Sequence, residues 1–231
     1  KLHAKTDVNP LEHAIKGITA KSTAKDQNGF GIRRLFDFST AGDIWHTNYS
    51  DKVVPFEFTI DLHSINTLDK IQYVPRDNAG NGTITKYDIA VSKDGLNWTE
   101  IGVQQWARNN QTKEVVFTTQ PIARYVKVIV KEAVGNFGSG RELYVFKVPG
   151  TKTILPGDIN VDGKIDENDL TSYMNYTGLK TGDSDFDGYI SGGDLNGNGL
   201  IDAYDISNVA TKLDGGVTEH LSILQVKKII P

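Results

Sequence analysis

The sequence predicts a mostly-β protein: an antiparallel β-sandwich followed by a small α-helical module built on acidic loops. Three observations carry this prediction. From about residue 17 to residue 148, short runs of alternating apolar and polar residues are separated by turn clusters, with no long helical period. Residues 157–215 shift to Asp, Asn and Gly, interrupted by two short helical patterns. Charge divides at the same place. Residues 1–156 hold 20 basic and 16 acidic side chains, and residues 157–215 hold 3 and 12. The balances of +4 and −9, with +1 on residues 216–231, make up the formal net charge of −4.

Length and composition bound the answer further. At 231 residues the chain is one large domain or two ordinary ones, and 38% apolar content is enough to build a core. No apolar run approaches the ~20 residues of a membrane-spanning helix. The chain has no cysteine, which excludes disulfides, thiolate metal sites and cysteine nucleophiles. A block at −9 repels phosphates, so it does not bind nucleic acid; it is either solvated or neutralised by cations. With no initiator Met and no leader pattern, the chain reads as a processed or excised piece of a longer protein.

The elements follow in order. In residues 1–16, a lead-in helix is predicted from Asn9 at an N-cap position and Pro10 at the first helical position, with Gly17 as its stop. Residues 17–150 form the sandwich. Its clearest strand signals are Val54-Pro55-Phe56-Glu57-Phe58-Thr59-Ile60-Asp61-Leu62, residues 84–92, residues 114–117, Tyr125-Val126-Lys127-Val128-Ile129-Val130 and residues 143–148. Asn78-Ala79-Gly80-Asn81-Gly82, Lys93-Asp94-Gly95 and Gly135-Asn136-Phe137-Gly138 supply turns. Val148-Pro149-Gly150 opens a linker at 151–156, and the acidic module occupies 157–215 with helices predicted at 167–176 and 203–213. Residues 216–231 read as a terminal strand or the start of a truncated domain.

The acidic module carries the sharper chemistry. Residues 158–169 place Asp158, Asn160 and Asp162 at positions 1, 3 and 5 of a twelve-residue loop, with Gly163 at 6, Lys164 at 7, Asp166 at 9 and Asp169 at 12. Hard oxygens at these positions, a carbonyl at 7 and a carboxylate closing the shell suit Ca²⁺. Residues 194–205 repeat the pattern through Asp194, Asn196, Asn198, Gly199, Leu200, Asp202 and Asp205. Ile165 and Ile201 occupy position 8, the residue that usually pairs between adjacent loops. Between them, Asp183, Asp185, Asp187, Gly188, Tyr189 and Asp194 fit the same template. That stretch reads either as a third calcium loop sharing Asp194 or as an insertion that imitates one.

Position 12 is Asp rather than Glu, and no full helix precedes either loop. In this the module resembles type I dockerins, whose repeats are a calcium loop followed by one helix. The resemblance implies two Ca²⁺ ions and docking onto a cohesin-like partner through positions 10 and 11. Those pairs, Glu167-Asn168 and Ala203-Tyr204, differ from each other, which favours a module that packs on its own chain or on a neighbouring one.

Residues 17–148 resemble the F5/8 type C, discoidin-like jelly-roll, and within it the galactose-binding family 32 carbohydrate-binding modules. The stretches that carry this are Trp45-His46-Thr47, Tyr73-Val74-Pro75-Arg76-Asp77, Tyr87-Asp88-Ile89-Ala90-Val91-Ser92-Lys93-Asp94-Gly95-Leu96-Asn97-Trp98, Ala123-Arg124-Tyr125-Val126 and Glu142-Leu143. The resemblance implies a sugar site at His46, Arg76, Asn81 and Phe137, with Tyr49 where some members carry a glutamate. It also implies a structural Ca²⁺ held by Glu142, with Asp37 and Asp43 as loop candidates. An aromatic ring suits the apolar face of a pyranose, and a His–Arg pair suits the out-of-plane 4-hydroxyl of galactose or N-acetylgalactosamine. Each residue has a plainer alternative: His46 can fill a loop, Arg76 can pair with Asp77 or Asp88, and Trp106 can border the site or pack.

No Gly-x-Ser-x-Gly, His-Glu-x-x-His or phosphate loop is present, so catalysis is expected elsewhere in a longer parent. The expected function is non-catalytic glycan binding that targets a secreted or surface bacterial glycoside hydrolase, joined to a calcium-dependent connector. A monomer in an extracellular, cell-surface or periplasmic setting is expected. The alternative is an adhesion module for a protein or lipid surface, with dockerin-mediated recruitment of a cohesin.

Overall fold

The computed structural model describes residues 9–187 and 190–213. The predicted strand within 216–231, residue Tyr189 and the side chain of Asp187 lie outside the described residues. The β-rich part has nine strands: β1 (Thr19–Ser22), β2 (Trp45–His46), β3 (Phe56–Val74), β4 (Ile84–Ser92), β5 (Thr99–Gln105), β6 (Lys113–Val116), β7 (Ile122–Ala133), β8 (Ser139–Gly140) and β9 (Glu142–Lys147). All named strand pairs are antiparallel.

The 19-residue strand β3 organises both layers. Phe56, Phe58, Ile60 and Leu62 alternate into the core, as period-2 patterning requires. This half pairs with β1 and β7, in the order β1-β3-β7-β4-β5. The register breaks between Asp61 and Asn66, where His63 takes a positive φ of 56°. Such a bulge bends a strand; beyond it Asn66 and Thr67 still pair with β7, and from Leu68 onward β3 pairs with β9 and β6. Leu68, Ile71 and Tyr73 then face the same core. That core closes over Trp45, Leu35, Phe117, Ile89 and Val126, all nearly inaccessible to solvent. Deleting a ring as large as Trp45 from such a site typically costs about 3–5 kcal/mol.

The predicted lead-in helix is not formed. Residues 10–13 make a turn in which Asn9 Oδ1 accepts the Leu11 N–H at 3.0 Å, and the chain then joins the sheet. Ala14 bridges Phe146, and the Ile15 N–H donates to the Val145 carbonyl at 2.8 Å. The local N-cap signal was real, but pairing with β9 ends the turn before a helix can propagate.

The acidic module contains α1 (Glu167–Tyr176), the short α2 (Ser184–Asp187) and α3 (Ala203–Lys212). Leu170 and Tyr173 on α1, and Ile206 and Val209 on α3, bury one face of each helix against Ile159, Phe186, Ile190 and Ile201. The pairing expected between Ile165 and Ile201 is replaced. The Ile201 N–H donates to the Leu179 carbonyl at 2.9 Å, and Lys180 bridges Leu200, so the segment after α1 occupies that edge.

Residues 151–156 are stitched down rather than free. Ile65 and Ile154 exchange both backbone hydrogen bonds, at 2.8 and 2.9 Å. Thr153 Oγ1 donates to Asn66 Oδ1 at 2.9 Å, and Lys147 Nζ donates to Thr153 Oγ1 at 3.0 Å. Between the two modules lies a groove of about 470 Å³ lined by Ser92, Asp94, Ile122, Thr181 and Asn198, among others.

Candidate functional site

Four of the five residues expected to bind sugar are brought together at one end of the sandwich, with the fifth at the rim. β2 carries His46 and pairs with β8, placing His46 opposite Ser139. Arg76 and Asn81 both lie on the β3–β4 connection and Phe137 follows β7, so with β2 three stretches of chain converge on one loop cluster. Gly135 and Asn136 both take left-handed backbone, at φ 71° and 64°. A Cβ on Gly135 would stand 2.7 Å from Asn81 Oδ1, so only glycine lets these two loops meet. The Asn136 carbonyl accepts from Val53 N at 2.9 Å, which fixes the loop that presents Phe137.

The polar groups are arranged in a chain. His46 is 2% exposed, and its Nδ1 stands 2.6 Å from the Thr47 carbonyl. A carbonyl can only accept, so the Thr47 contact places a proton on Nδ1. Burial, and secondarily the facing Arg76, hold the His46 pKa below its ordinary value, against the raising effect of the Thr47 and Asn81 carbonyls. Arg76 Nη1 donates to the Asn81 carbonyl at 2.8 Å, which also accepts from Ser139 Oγ at 3.0 Å. The alternative partners of Arg76 are otherwise engaged: Asp77 by Arg141 and Asp88 by Lys131. The His46 ring lies 4.7 Å from Tyr49 and 5.6 Å from Phe137, while Tyr49 is 54% exposed. The arrangement is a shallow aromatic rim beside one imidazole and one guanidinium.

Other residues fall elsewhere. Trp106 packs, stacked on Tyr73 at 5.6 Å and against Tyr87 at 4.3 Å. Trp98 lies under the Lys127 ammonium at 4.3 Å. Asp26, not singled out in the sequence, supports the site from below by accepting from Trp45 Nε1 at 2.8 Å and from Ile32 N at 2.9 Å. Thr47 ties the histidine strand to the Phe137 loop, accepting the Gly138 N–H at 2.9 Å. No local spacing marks either role.

The sandwich cation residues divide. Glu142 is wholly buried; Oε1 accepts from Ser39 N at 2.8 Å, and Oε2 has no partner. Burial, with Asp37 in hydrogen-bonding reach, pushes its carboxyl up to about 8. A buried carboxylate oxygen without a donor, beside a second carboxylate, is a set that a cation would satisfy. Asp43 does not join it. Its carboxylate is largely exposed and pairs with Arg34 at 3.4 Å, because the residue 40–42 turn carries it outward.

In the acidic module the two loops fold alike. Asp158 accepts from the N–H groups of Asp162 and Gly163 at 3.0 and 2.9 Å, and Asp194 accepts from Gly197, Asn198 and Gly199 at 2.9, 3.2 and 2.7 Å. Asn160 and Asn196 accept from the N–H two residues on. Asp162 does the same for Lys164, and Asn198 for Leu200. Position 9 of each loop is the helix N-cap, Asp166 or Asp202, and position 12, Asp169 or Asp205, completes a capping box. Asp158, Asp169 and Asp205 are fully buried. Burial raises the pKa of Asp169 and Asp205, and neighbouring carboxylates add to it. Among the described residues, no three His, Cys, Asp or Glu side chains gather round one point. The middle stretch departs from this pattern: Ser184–Asp187 is helical, and Asp183 Oδ2 accepts from Lys180 N at 2.9 Å.

An antiparallel sandwich with a loop cluster at one end, joined to a two-loop helical module, defines a modular architecture. The chain belongs to the F5/8 type C domain family, whose model matches residues 17–143, and the dockerin type I model matches residues 156–214. A family 32 carbohydrate-binding module from Clostridium perfringens, solved with GalNAc-β-1,3-galactose, is 32% identical, covers 58% of this chain and 99% of its own, and has a TM-score of 0.53. The family 32 module of C. perfringens NanJ, solved with galactose, is 29% identical, covering 58% of this chain and 98% of its own at a TM-score of 0.54. Two curated enzymes match over part of the chain. Galactose oxidase of Gibberella zeae is 33% identical over 49% of this chain and 18% of its own length. The A type blood N-acetyl-α-D-galactosamine deacetylase of Flavonifractor plautii is 32% identical over 45% and 14%. The chain therefore spans less than a fifth of the length of these curated relatives. Dockerin type I domains bind calcium, and the matched solved modules are carbohydrate-binding modules without catalytic function. No helix among the described residues is long and apolar enough to cross a membrane.

Proposed function

We propose that this chain is a galactose- or N-acetylgalactosamine-binding module that targets a longer glycan-degrading enzyme, with a calcium-stiffened dockerin-like module as its connector. One observation carries the reading: His46, the Arg76–Asn81 loop and Phe137 converge from three separate stretches of chain into one loop cluster with Tyr49 at its rim. Phe137 and Tyr49 cover the apolar face of a pyranose, the His46 imidazole hydrogen-bonds one hydroxyl, and Arg76 donates to the neighbouring hydroxyl. An axial hydroxyl meets both polar groups; an equatorial one leaves a desolvated donor unpaired, which is how such sites discriminate.

A single shallow site of this kind binds with Kd near ~1 mM, and density on a polymer raises the working affinity. Two Ca²⁺ ions, at 158–169 and 194–205, offset much of the −9 on the module, and one more fits beside Glu142 and Asp37. The helical middle stretch argues for no third ion in the module. Extracellular or cell-surface placement follows from a polymeric glycan target, with catalysis in another part of the parent. Glu167, Asn168, Ala203 and Tyr204 are all exposed, which supports docking of a cohesin-like partner as a second role of the same module.

A glycan array with wild type, His46→Ala and Phe137→Ala tests the sugar site. Galactose-terminated ligands are expected to bind wild type and to lose at least tenfold in each variant. Unchanged binding in both variants, or no glycan bound by wild type, overturns the reading.

A further inference from the structure

Arg141 forms a connection that neither the sugar site nor the cation set accounts for. Its guanidinium donates through Nε and Nη2 to both oxygens of Asp77, at 2.7 and 2.5 Å. Through Nη1 it donates to the Thr40 and Gly42 carbonyls, at 3.1 and 2.8 Å. The side chain is 18% exposed although Asp77 is 74% exposed, so the arginine is seated in the fold and holds an outlying carboxylate. Few planar groups other than guanidinium can fork to a carboxylate and still reach two carbonyls.

The two segments it joins matter. Thr40 and Gly42 belong to the turn after Asp37, and the Ser39 N–H is shared between Asp37 Oδ1 at 2.9 Å and Glu142 Oε1 at 2.8 Å. Asp77 adjoins Arg76, whose guanidinium is fixed on the Asn81 carbonyl. The same turn is pinned elsewhere by Arg108 Nε on the Ala79 carbonyl at 3.0 Å and by Asn110 Nδ2 on the Asp77 carbonyl at 2.9 Å. In sequence, Arg141 is next to Glu142 and two residues from Ser139, which pairs with His46. One side chain therefore bridges the loop that would hold a cation to the loop that carries Arg76.

We propose that Arg141, acting through Asp77, is a positioning residue that couples cation occupancy at Glu142 and Asp37 to sugar affinity at Arg76. Glu142 and Asp37 would hold the cation, which would offset both carboxylate charges and so steady the turn that follows Asp37. The Thr40 and Gly42 carbonyls then hold the guanidinium, which holds Asp77 and the Arg76 turn. With both carboxylates charged and uncompensated, the turn would be held less firmly, and with it the Arg141 anchor of the Arg76 loop. Coupling between two binding equilibria is reciprocal, so galactose must tighten the cation by the same factor.

The inference rests on the proposed sugar site, and the test separates the two. Galactose binding is measured by calorimetry on the full chain in excess Ca²⁺ and in chelator, for wild type, Asp77→Asn and Glu142→Gln. Calcium titrations with and without galactose supply the reciprocal measurement. Wild type is expected to bind galactose about five- to tenfold more tightly with Ca²⁺. Asp77→Asn, an exposed and structurally mild change, is expected to bind at an affinity that calcium no longer alters. Glu142→Gln is expected to behave likewise, and near-ultraviolet circular dichroism establishes that it is folded. Calcium dependence that persists in Glu142→Gln would assign the effect to the helical module and overturn the proposal. So would equal wild-type affinity in calcium and chelator, or undiminished coupling in Asp77→Asn. Absence of galactose binding in wild type under every condition would instead remove the sugar-site reading itself.

Discussion

At the scale of single residues, His46 shows how burial converts a common side chain into a directional one. The Thr47 carbonyl places a proton on Nδ1, and a 2% exposed ring resists a second proton. Its folded pKa lies below the ordinary value of 6.5, so its contribution to stability is full above that value and lost as pH falls through the depressed one. Thermal unfolding from pH 8 to pH 4.5 is expected to show wild type losing stability below about pH 6.5 relative to His46→Gln. A pH-independent difference between the two would contradict this. The same scale explains what local spacing could not reveal. Asp43 lies within reach of Glu142 in sequence logic, yet its carboxylate goes to Arg34. Arg141 and Asp26 act through partners 64 and 19 residues away, and no motif marks such distances.

At the scale of elements, the acidic loops and their helices were the most legible part of the chain. Each loop is closed by its own backbone, and each helix begins on a capping box formed by two acids three residues apart. All of that chemistry lies within twelve residues, so it can be read directly. The lead-in segment shows the converse: Asn9 and Pro10 announce a helix, but long-range pairing of Ala14 and Ile15 with β9 decides the outcome. The second half of β3 was similarly hidden, because its bend at residues 61–66 depends on which sheet each half joins. The calcium reading makes a prediction at this scale. Chelator is expected to lower the melting temperature of the helical signal more than that of the β signal, as followed by far-ultraviolet circular dichroism. In chelator, Asp166→Ala and Asp202→Ala are each expected to cost a further ~1 kcal/mol by loss of the N-cap. A helical signal indifferent to both chelator and substitution would argue against metal-dependent folding.

At the scale of the whole molecule, the linker proves to be part of the sheet. Ile154 completes a two-hydrogen-bond bridge with Ile65, and Gly192 approaches both side chains, at 3.0 and 3.2 Å from where its Cβ would be. Replacing Ile154 with proline removes the N–H that donates to Ile65. Ile154→Pro is expected to raise the rate of limited proteolysis at residues 149–156 by about tenfold with sugar binding intact. Protection equal to wild type would mean that the bridge does not hold the linker.

The bend in β3 has a geometric consequence. Phe56 lies at the loop-bearing end with Trp45 and Phe137, whereas Ile65, nine residues on, meets the linker at the opposite pole. At about 3.3 Å per residue those nine residues span at most roughly 30 Å, shortened by the bend that begins at Asp61. A protein held at its sugar loops would therefore stand its calcium module off the glycan surface by up to that span, pointing outward. On the proposed glycan-binding reading, the sandwich is a spacer as well as a grip, setting how far from the polymer a docked neighbour would work.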